Sequence, residues 1–453
     1  MNPNIIFLLI DGFRADRCYG KQKTAYTPNI DKLIESGTYF TQVISPADGT
    51  TLSLNGIFNG VYPFRTGTRQ KKMFLEETNF LNKIKNLNYN TYSIMPKFTS
   101  LSPLSENSEN DDTWYNPGPP TESISGELGE RIIRMISDRK MEQAWFYYIH
   151  IFDLHSPLIV PNNFDHEKFG MNKYDKIISS IDAWIGKLLD KIDIKNTLFI
   201  LTADHGTHLP VDDKDVTSFE PQFESTIKTG KKLIPKSIQP AGAKAIIGMK
   251  KAIRNIRLIN ANKNLTPYEK RSRLPYFTLS LFDESIHVPL LISGFKVPKK
   301  IVKQQVSSID IFPTVFDILK FEYDNSTIHG KSLVPLLRDE MIRELPVYIN
   351  SMPYEKESSQ DIVGIRTSSY KYFRFARDPK KLVNLYNLDI DPYENNNISL
   401  SHPEIVSKME DILTKLTSEP ESESISHDSD EDDEIDEEEL KEIQEELKKH
   451  GYI

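Results

Sequence analysis

Short apolar runs, separated by amphipathic stretches of helical length, constrain this chain more than any other feature. The runs are IIFLLI (5–10), WFYYIHIF (145–152), TLFILTAD (197–204) and VPLLISG (288–294). Each is of strand length and apolar on both alternating faces, as in a strand covered on both sides. Between them, Asn29 to Ser36 and Tyr174 to Ile192 carry apolar residues at helical spacing. Strand and helix in alternation predict an α/β domain with a central, mostly parallel sheet. In such sheets chemistry collects at the carboxyl ends of the strands, so the polar residues closing these runs are the candidates for function.

The chain has 453 residues, 38% of them hydrophobic, enough for one large domain and a smaller one. The pattern places a catalytic-type α/β domain at 1–330, interrupted by a basic insert at 210–275. A C-terminal α+β subdomain follows at 331–416, with strands expected at Asp361 to Phe375 and Leu382 to Leu388 and a helix at Glu404 to Leu416. Residues 417–453 form an acidic tail in which Leu440, Ile443 and Leu447 recur at helical spacing. The net charge of -9 averages two opposed blocks. Residues 228–273 hold thirteen Lys or Arg against one acid, whereas 419–439 hold thirteen Asp or Glu and no Lys or Arg. A single cysteine, Cys18, rules out an internal disulfide. The N-terminal apolar run is six residues long, against the ~20 that cross a bilayer. With no leader-like pattern, a soluble, cytoplasmic protein is expected, peripheral to a membrane at most.

Three strand ends finish in groups that suit a divalent cation. Asp11 closes the first run, Asp204 and His205 close the third, and Asp153 and His155 follow the second. Carboxylate and imidazole together are ligands for such an ion, which can gather them from distant parts of a sequence. One Asp at a strand end also serves as a helix cap or turn residue. A set of them at the ends of several strands weakens that simpler reading.

In their order along the chain these segments resemble the sulfatase family of the alkaline phosphatase superfamily. NIIFLLIDGFRADRCYG looks like the family's first strand and metal-binding turn. TPNIDKLIESGTYFTQVISP and GVYPFRTG are similar to the segments before and after its nucleophile, and ADHG (203–206) to its second metal motif. ESIHVPLLISG, SSIDIFPTVFDIL, HGKSLVPLL, IRTSSYKYFRF and LYNLDIDPYENNN follow in the family's order. The resemblance implies an alkaline phosphatase/sulfatase-like sandwich with a small C-terminal subdomain, and an enzyme that hydrolyses phosphate (di)esters, as a phosphodiesterase does, or sulfate esters.

It implies Asp11, Asp204 and His205 as ligands of a divalent ion, whether Mn, Zn, Ca or Mg. Gly12 stands where many sulfatases have a second acid, which leans the choice towards Mn²⁺ or Zn²⁺. The C-x-P-x-R nucleophile motif is replaced by Thr50-Thr51-Leu52-Ser53-Leu54, so no formylglycine is expected. Thr50 falls at the nucleophile position and also counts among the metal ligands, because a metal brings a threonine alkoxide within reach. His155 matches a histidine that binds substrate or protonates the leaving group. Lys97, Asp153 and His287 are the remaining substrate-binding candidates. Lys97 is one residue out of register with a family lysine, and Thr278 takes the approximate place of a second.

Within the basic insert, Ile246, Met249, Ile253 and Ile256 form an apolar stripe beside Lys250, Lys251, Arg254 and Arg257. This suits a peripheral contact with an anionic membrane or a polyanion, a lid over an anionic ester substrate, or a helix packed on its own protein. No specific nucleic-acid partner is indicated. A phospho-headgroup transferase and a non-catalytic binding protein on the same fold stay open beside the hydrolase reading.

Overall fold

Strand β1 (Asn4–Ile10) lies at the centre of the larger sheet, and six of its seven residues are buried. The computed structural model describes residues 2–118, 122–137, 144–210, 216–219, 239–273, 280–351 and 358–418. The acidic block, the helix expected after it, Thr278 and residues 220–238 of the basic insert lie outside the described residues.

The remaining strands of the larger sheet are β2 (Thr38–Ile44), β3 (Asn90–Pro96), β4 (Trp114–Tyr115), β5 (Trp145–Ile151), β6 (Thr197–Thr202), β7 (His287–Gly294), β8 (Lys300–Val302) and β9 (Val306–Ser307). Their order is β4-β3-β5-β1-β6-β7-β2-β8, with β9 also on β2. β1 runs parallel to β5 and β6, and β3 parallel to β5, while β7 is antiparallel to both neighbours. The four apolar runs of the sequence are thus four adjacent strands. A smaller antiparallel sheet joins β10 (Val347–Ser351), β11 (Ile362–Arg366), β12 (Tyr370–Phe375) and β13 (Asn384–Asn387). The expected C-terminal strand segments correspond to β11–β13; β10 is an additional edge strand.

The helices that matter here are α1 (Pro28–Ser36), α2 (Thr50–Asn59), α3 (Lys173–Leu189), α4 (Gln239–Ala261), α5 (Ile311–Leu319) and α6 (Pro403–Thr417). Asp182 of α3 accepts from the amides of Asn29 (3.1 Å) and Ile30 (2.7 Å), so one helix satisfies the open N-terminus of α1. Met409 and Leu413 of α6 are buried with Val347, Ile365, Tyr372 and Leu385 of the smaller sheet. This apolar burial holds the helix to that sheet.

The chain divides into two compact units. One carries both sheets. The other comprises His208–Thr278 with Tyr393–Asn395. Within the second, Arg271 donates to the carbonyls of Glu394 (2.9 Å) and Tyr393 (2.8 Å), and a Thr266–Glu269 capping box opens the turn of helix at Pro267–Arg271. Among the described residues no helix is long and apolar enough to cross a membrane.

Candidate active site and metal centre

Parallel pairing decides which residues can meet. Leu9 of β1 lies opposite His150 of β5 and Thr202 of β6. The residues leaving the three strands therefore emerge side by side: Asp11 from β1, the 152–155 turn from β5, and Asp204-His205 from β6. The amide of Asp11 donates to Ile151 O at 2.8 Å, carrying the pairing one step past the strand.

Gly12 follows Asp11 with a φ of 70°, a backbone state that side chains disfavour. Its amide faces Asp204 Oδ1 at 3.3 Å, and its carbonyl accepts from Tyr174 Oη at 2.7 Å. Gly206 is fixed by proximity instead, since a Cβ there would stand 2.2 Å from Glu284 O.

Thr50 is the first residue of α2, after Gly49. Its Oγ1 lies 3.2 Å from His205 Nε2 and 3.4 Å from Asp11 Oδ2. His205 Nδ1 is 2.7 Å from Gly206 O, the contact of an N–H donor, which turns Nε2 inward. Burial opposes charge on His205, but Asp204 and Asp11 outweigh it and raise its pKa. Asp11 is fully buried. Burial alone would raise its pKa, but the charge of His155 and the hydrogen bonds of His150 and His155 hold it far below the usual carboxylate range.

The two oxygens of Asp11 face different imidazoles. Oδ1 is in hydrogen-bond contact with His155 Nε2 and lies 3.4 Å from His205 Nε2. Oδ2 meets His150 Nε2 at 3.0 Å. His155 is itself pinned by stacking on Phe152, with ring centroids 3.8 Å apart and 11° between planes.

The centre has the composition of a cation site. Asp11, His155 and His205 offer ligand atoms within 4.8 Å of one another, as do Asp11, His150 and Asp204. Asp204 Oδ1 accepts from the His205 amide at 2.8 Å, whereas its buried Oδ2 has no hydrogen-bond partner. A buried carboxylate oxygen without a donor is costly, and a metal ion would satisfy it. The residues present fit a divalent ion.

Structure brings Asp11, Thr50, His155, Asp204 and His205 together. Asp153 and His287 have hydrogen-bond partners outside this cluster. Asp153 is half-buried, and its Oδ1 accepts from the Ile124 amide at 2.9 Å. Burial pushes its carboxyl up to about 7. His287 Nε2 lies 2.9 Å from Thr41 O between β7 and β2, and burial lowers its pKa. Lys97 is exposed just beyond β3. His150 is the centre residue that strand-end reasoning passes over. Its Nδ1 is 3.1 Å from Tyr148 Oη, and its carbonyl accepts from Tyr115 Oη at 3.0 Å. The available signal was an imidazole inside an otherwise apolar strand, five residues before His155.

An Asp/His centre at the carboxyl edge of a mostly parallel sheet, with a smaller antiparallel sheet after it, is the arrangement that the resemblance to the alkaline phosphatase superfamily implies. The Sulfatase family model matches residues 3–321, and the chain belongs to the sulfatase family. A second model, N-sulphoglucosamine sulphohydrolase C-terminal, matches residues 276–419. Arylsulfatase K of Gallus gallus is 28% identical over 152 residues, covering 32% of this chain and 28% of that protein. The Homo sapiens arylsulfatase K gives the same identity and coverage. The chain therefore matches well under a third of the length of these relatives.

Among solved structures, the phosphonate monoester hydrolase of Agrobacterium radiobacter has a TM-score of 0.64 at 15% identity, covering 92% of this chain and 95% of that one. A structure in complex with its substrate D-glucosamine-2-N,6-O-disulfate has a TM-score of 0.62 at 15% identity, covering 93% of this chain and all of its own. At these identities the likeness is one of fold.

Proposed function

We propose that this protein hydrolyses anionic esters, phosphate or sulfate, through a covalent intermediate on Thr50. One observation carries the reading: the Thr50 hydroxyl faces both His205 Nε2 and Asp11 Oδ2, at 3.2 and 3.4 Å. A lone surface threonine has no reason to sit against a buried Asp/His cluster.

Asp11, Asp204 and His205 would hold a divalent ion, with Thr50 beside it. The ion supplies Lewis acidity, easing loss of the Thr50 proton and neutralising charge on the ester oxygens. The chain's own residues do the rest. Thr50 attacks the phosphorus or sulfur from the first turn of α2. The open amides of that turn face the incoming anion. The Thr50 Oγ bond forms as the ester bond breaks, and His155 gives a proton to the departing alkoxide. Water then attacks the phosphorus or sulfur and gives a proton to His155, while Thr50 leaves as the alkoxide, which restores the starting state.

Thr50 lacks the second hydroxyl that a formylglycine hydrate would bring. A threonine ester must be opened by direct attack of water on phosphorus or sulfur, which favours phosphate. The C-terminal family match favours sulfated sugars instead. A panel of chromogenic phosphomonoester, phosphodiester, phosphonate and sulfate, run with Mn²⁺, Zn²⁺, Ca²⁺ and Mg²⁺, separates the two. Quenched turnover followed by peptide mass spectrometry should find the added group on Thr50. Turnover with no adduct on Thr50 and full activity in Thr50→Ala would sink the mechanism.

A further inference from the structure

The part of the chain that no catalytic reading uses is α4. Over its 23 residues it carries five Lys or Arg and no Asp or Glu. It lies against the short turn Val216–Phe219 within the second unit. Arg254 and Leu258, four residues apart on one side, are half-buried there. Asn255, Arg257 and Asn260 are turned to water, and so are large apolar residues. Met249, Ile256 and Ile259 are 49%, 60% and 69% exposed, and Ala252 is exposed with them. Their spacing of three, four and three residues sets all four on one stripe of a 3.6-residue helix. Lys250 and Arg257, each one position further on, border that stripe.

A helix that packs on its own protein hides its apolar stripe and shows its charges; α4 shows both. A run of large apolar side chains in water marks a contact surface. The flanking bases specify its charge. A soluble polyanion would use the bases but offer nothing to Met249, Ile256 and Ile259. An anionic bilayer takes both at once, the apolar stripe entering the acyl boundary while Lys250 and Arg257 reach the headgroups. We infer that α4 is an interfacial helix that docks this protein on anionic lipid membranes. The surrounding segment adds attraction of the same sign, with thirteen bases against one acid over residues 228–273.

Cosedimentation of the full chain with vesicles tests this. Adding phosphatidylglycerol to phosphatidylcholine vesicles should raise binding about tenfold or more, because each headgroup-facing base contributes separately. Ile256→Glu with Ile259→Glu should abolish that binding while leaving the unfolding midpoint unchanged, as both side chains are exposed. Lys250→Glu with Arg257→Glu should bring binding on phosphatidylglycerol vesicles down to the phosphatidylcholine level. No binding to phosphatidylglycerol vesicles overturns the inference. So does binding that survives the double Ile substitution and is competed away by heparin, which would make the segment a polyanion surface.

Discussion

His150 Nε2 lies 3.0 Å from Asp11 Oδ2, at the carboxyl ends of two adjacent buried strands. Tyr148 Oη meets the other ring nitrogen, Nδ1, at 3.1 Å, so the imidazole is held at one edge by the phenol and directed at the carboxylate from the other. Groups that orient a ligand contribute nearly as much as the ligand itself, commonly about 10–100-fold in affinity. His150→Ala should weaken divalent-ion binding by about that factor, and Tyr148→Phe by less. Isothermal titration of the metal-free protein with Mn²⁺ or Zn²⁺ measures both. Equal affinity in His150→Ala and wild type would show that Asp11 needs no such support.

Removal of the Asp204 carboxylate should act more severely. Its Oδ2 is buried without a donor, and its Oδ1 holds the His205 amide and faces Gly12. Asp204→Ala should empty the centre, which elemental analysis of the purified protein reads directly. Metal content equal to wild type would contradict the ligand assignment.

Thr50→Ala should abolish turnover, by about 10⁴-fold or more if the hydroxyl is the nucleophile. Metal content should fall far less than in Asp204→Ala, since the carboxylates and His205 stay in place. Thr50→Ser, which keeps the hydroxyl, should retain measurable activity. Thr51 lies one position along α2 and is buried. Thr51→Ala should act through packing, on stability more than on rate.

What the sequence made legible follows from strand geometry. Asp11, Asp204 and His205 stand at the ends of apolar runs, where a polar residue is conspicuous, and parallel register brings such ends together. His150 was hidden because it lies inside a run and reads as core. Asp153 and His287 had the right residue type next to the right strands. Their side chains, however, are taken by local backbone groups, the Ile124 amide and the Thr41 carbonyl, and composition carries no trace of that. β10 escaped notice for another reason. It is five residues long and pairs only with β11 in its sheet, so it has no pattern of its own.

A largely buried ionic cluster ties the helical turn before β7 to the smaller sheet. Arg366 of β11 grips Asp283 with two parallel hydrogen bonds, at 3.0 and 2.8 Å, and Lys371 of β12 reaches the same carboxylate at 2.5 Å. Burial would raise the Asp283 pKa, but the two cations hold it well below the usual range. Asp283→Ala leaves two cations buried without their shared anion, and the loss should be about 3–5 kcal/mol. Urea unfolding at neutral pH measures it. A loss under about 1 kcal/mol, the level of a surface pair, would mean that water reaches the cluster.

Asp153 gives the opposite case, a half-buried carboxyl with no cation beside it among the described residues. Its folded pKa of about 7 stands well above the value near 3.9 of an unfolded aspartate. Between those two values the folded state binds more protons than the unfolded one. Stability therefore falls as pH rises from about 4 to about 7 and levels off above. Asp153→Asn removes the charge yet keeps an oxygen for the Ile124 amide, now at 2.9 Å. The variant should match wild type near pH 4 and exceed it increasingly up to pH 7, by an upper bound of about 4 kcal/mol at about 1.4 kcal/mol per pKa unit. Urea midpoints at several pH values across that window decide the matter. A stability difference that stays constant with pH would mean that Asp153 is already ionised in the folded protein, and would return it to the set of charged residues available to a substrate.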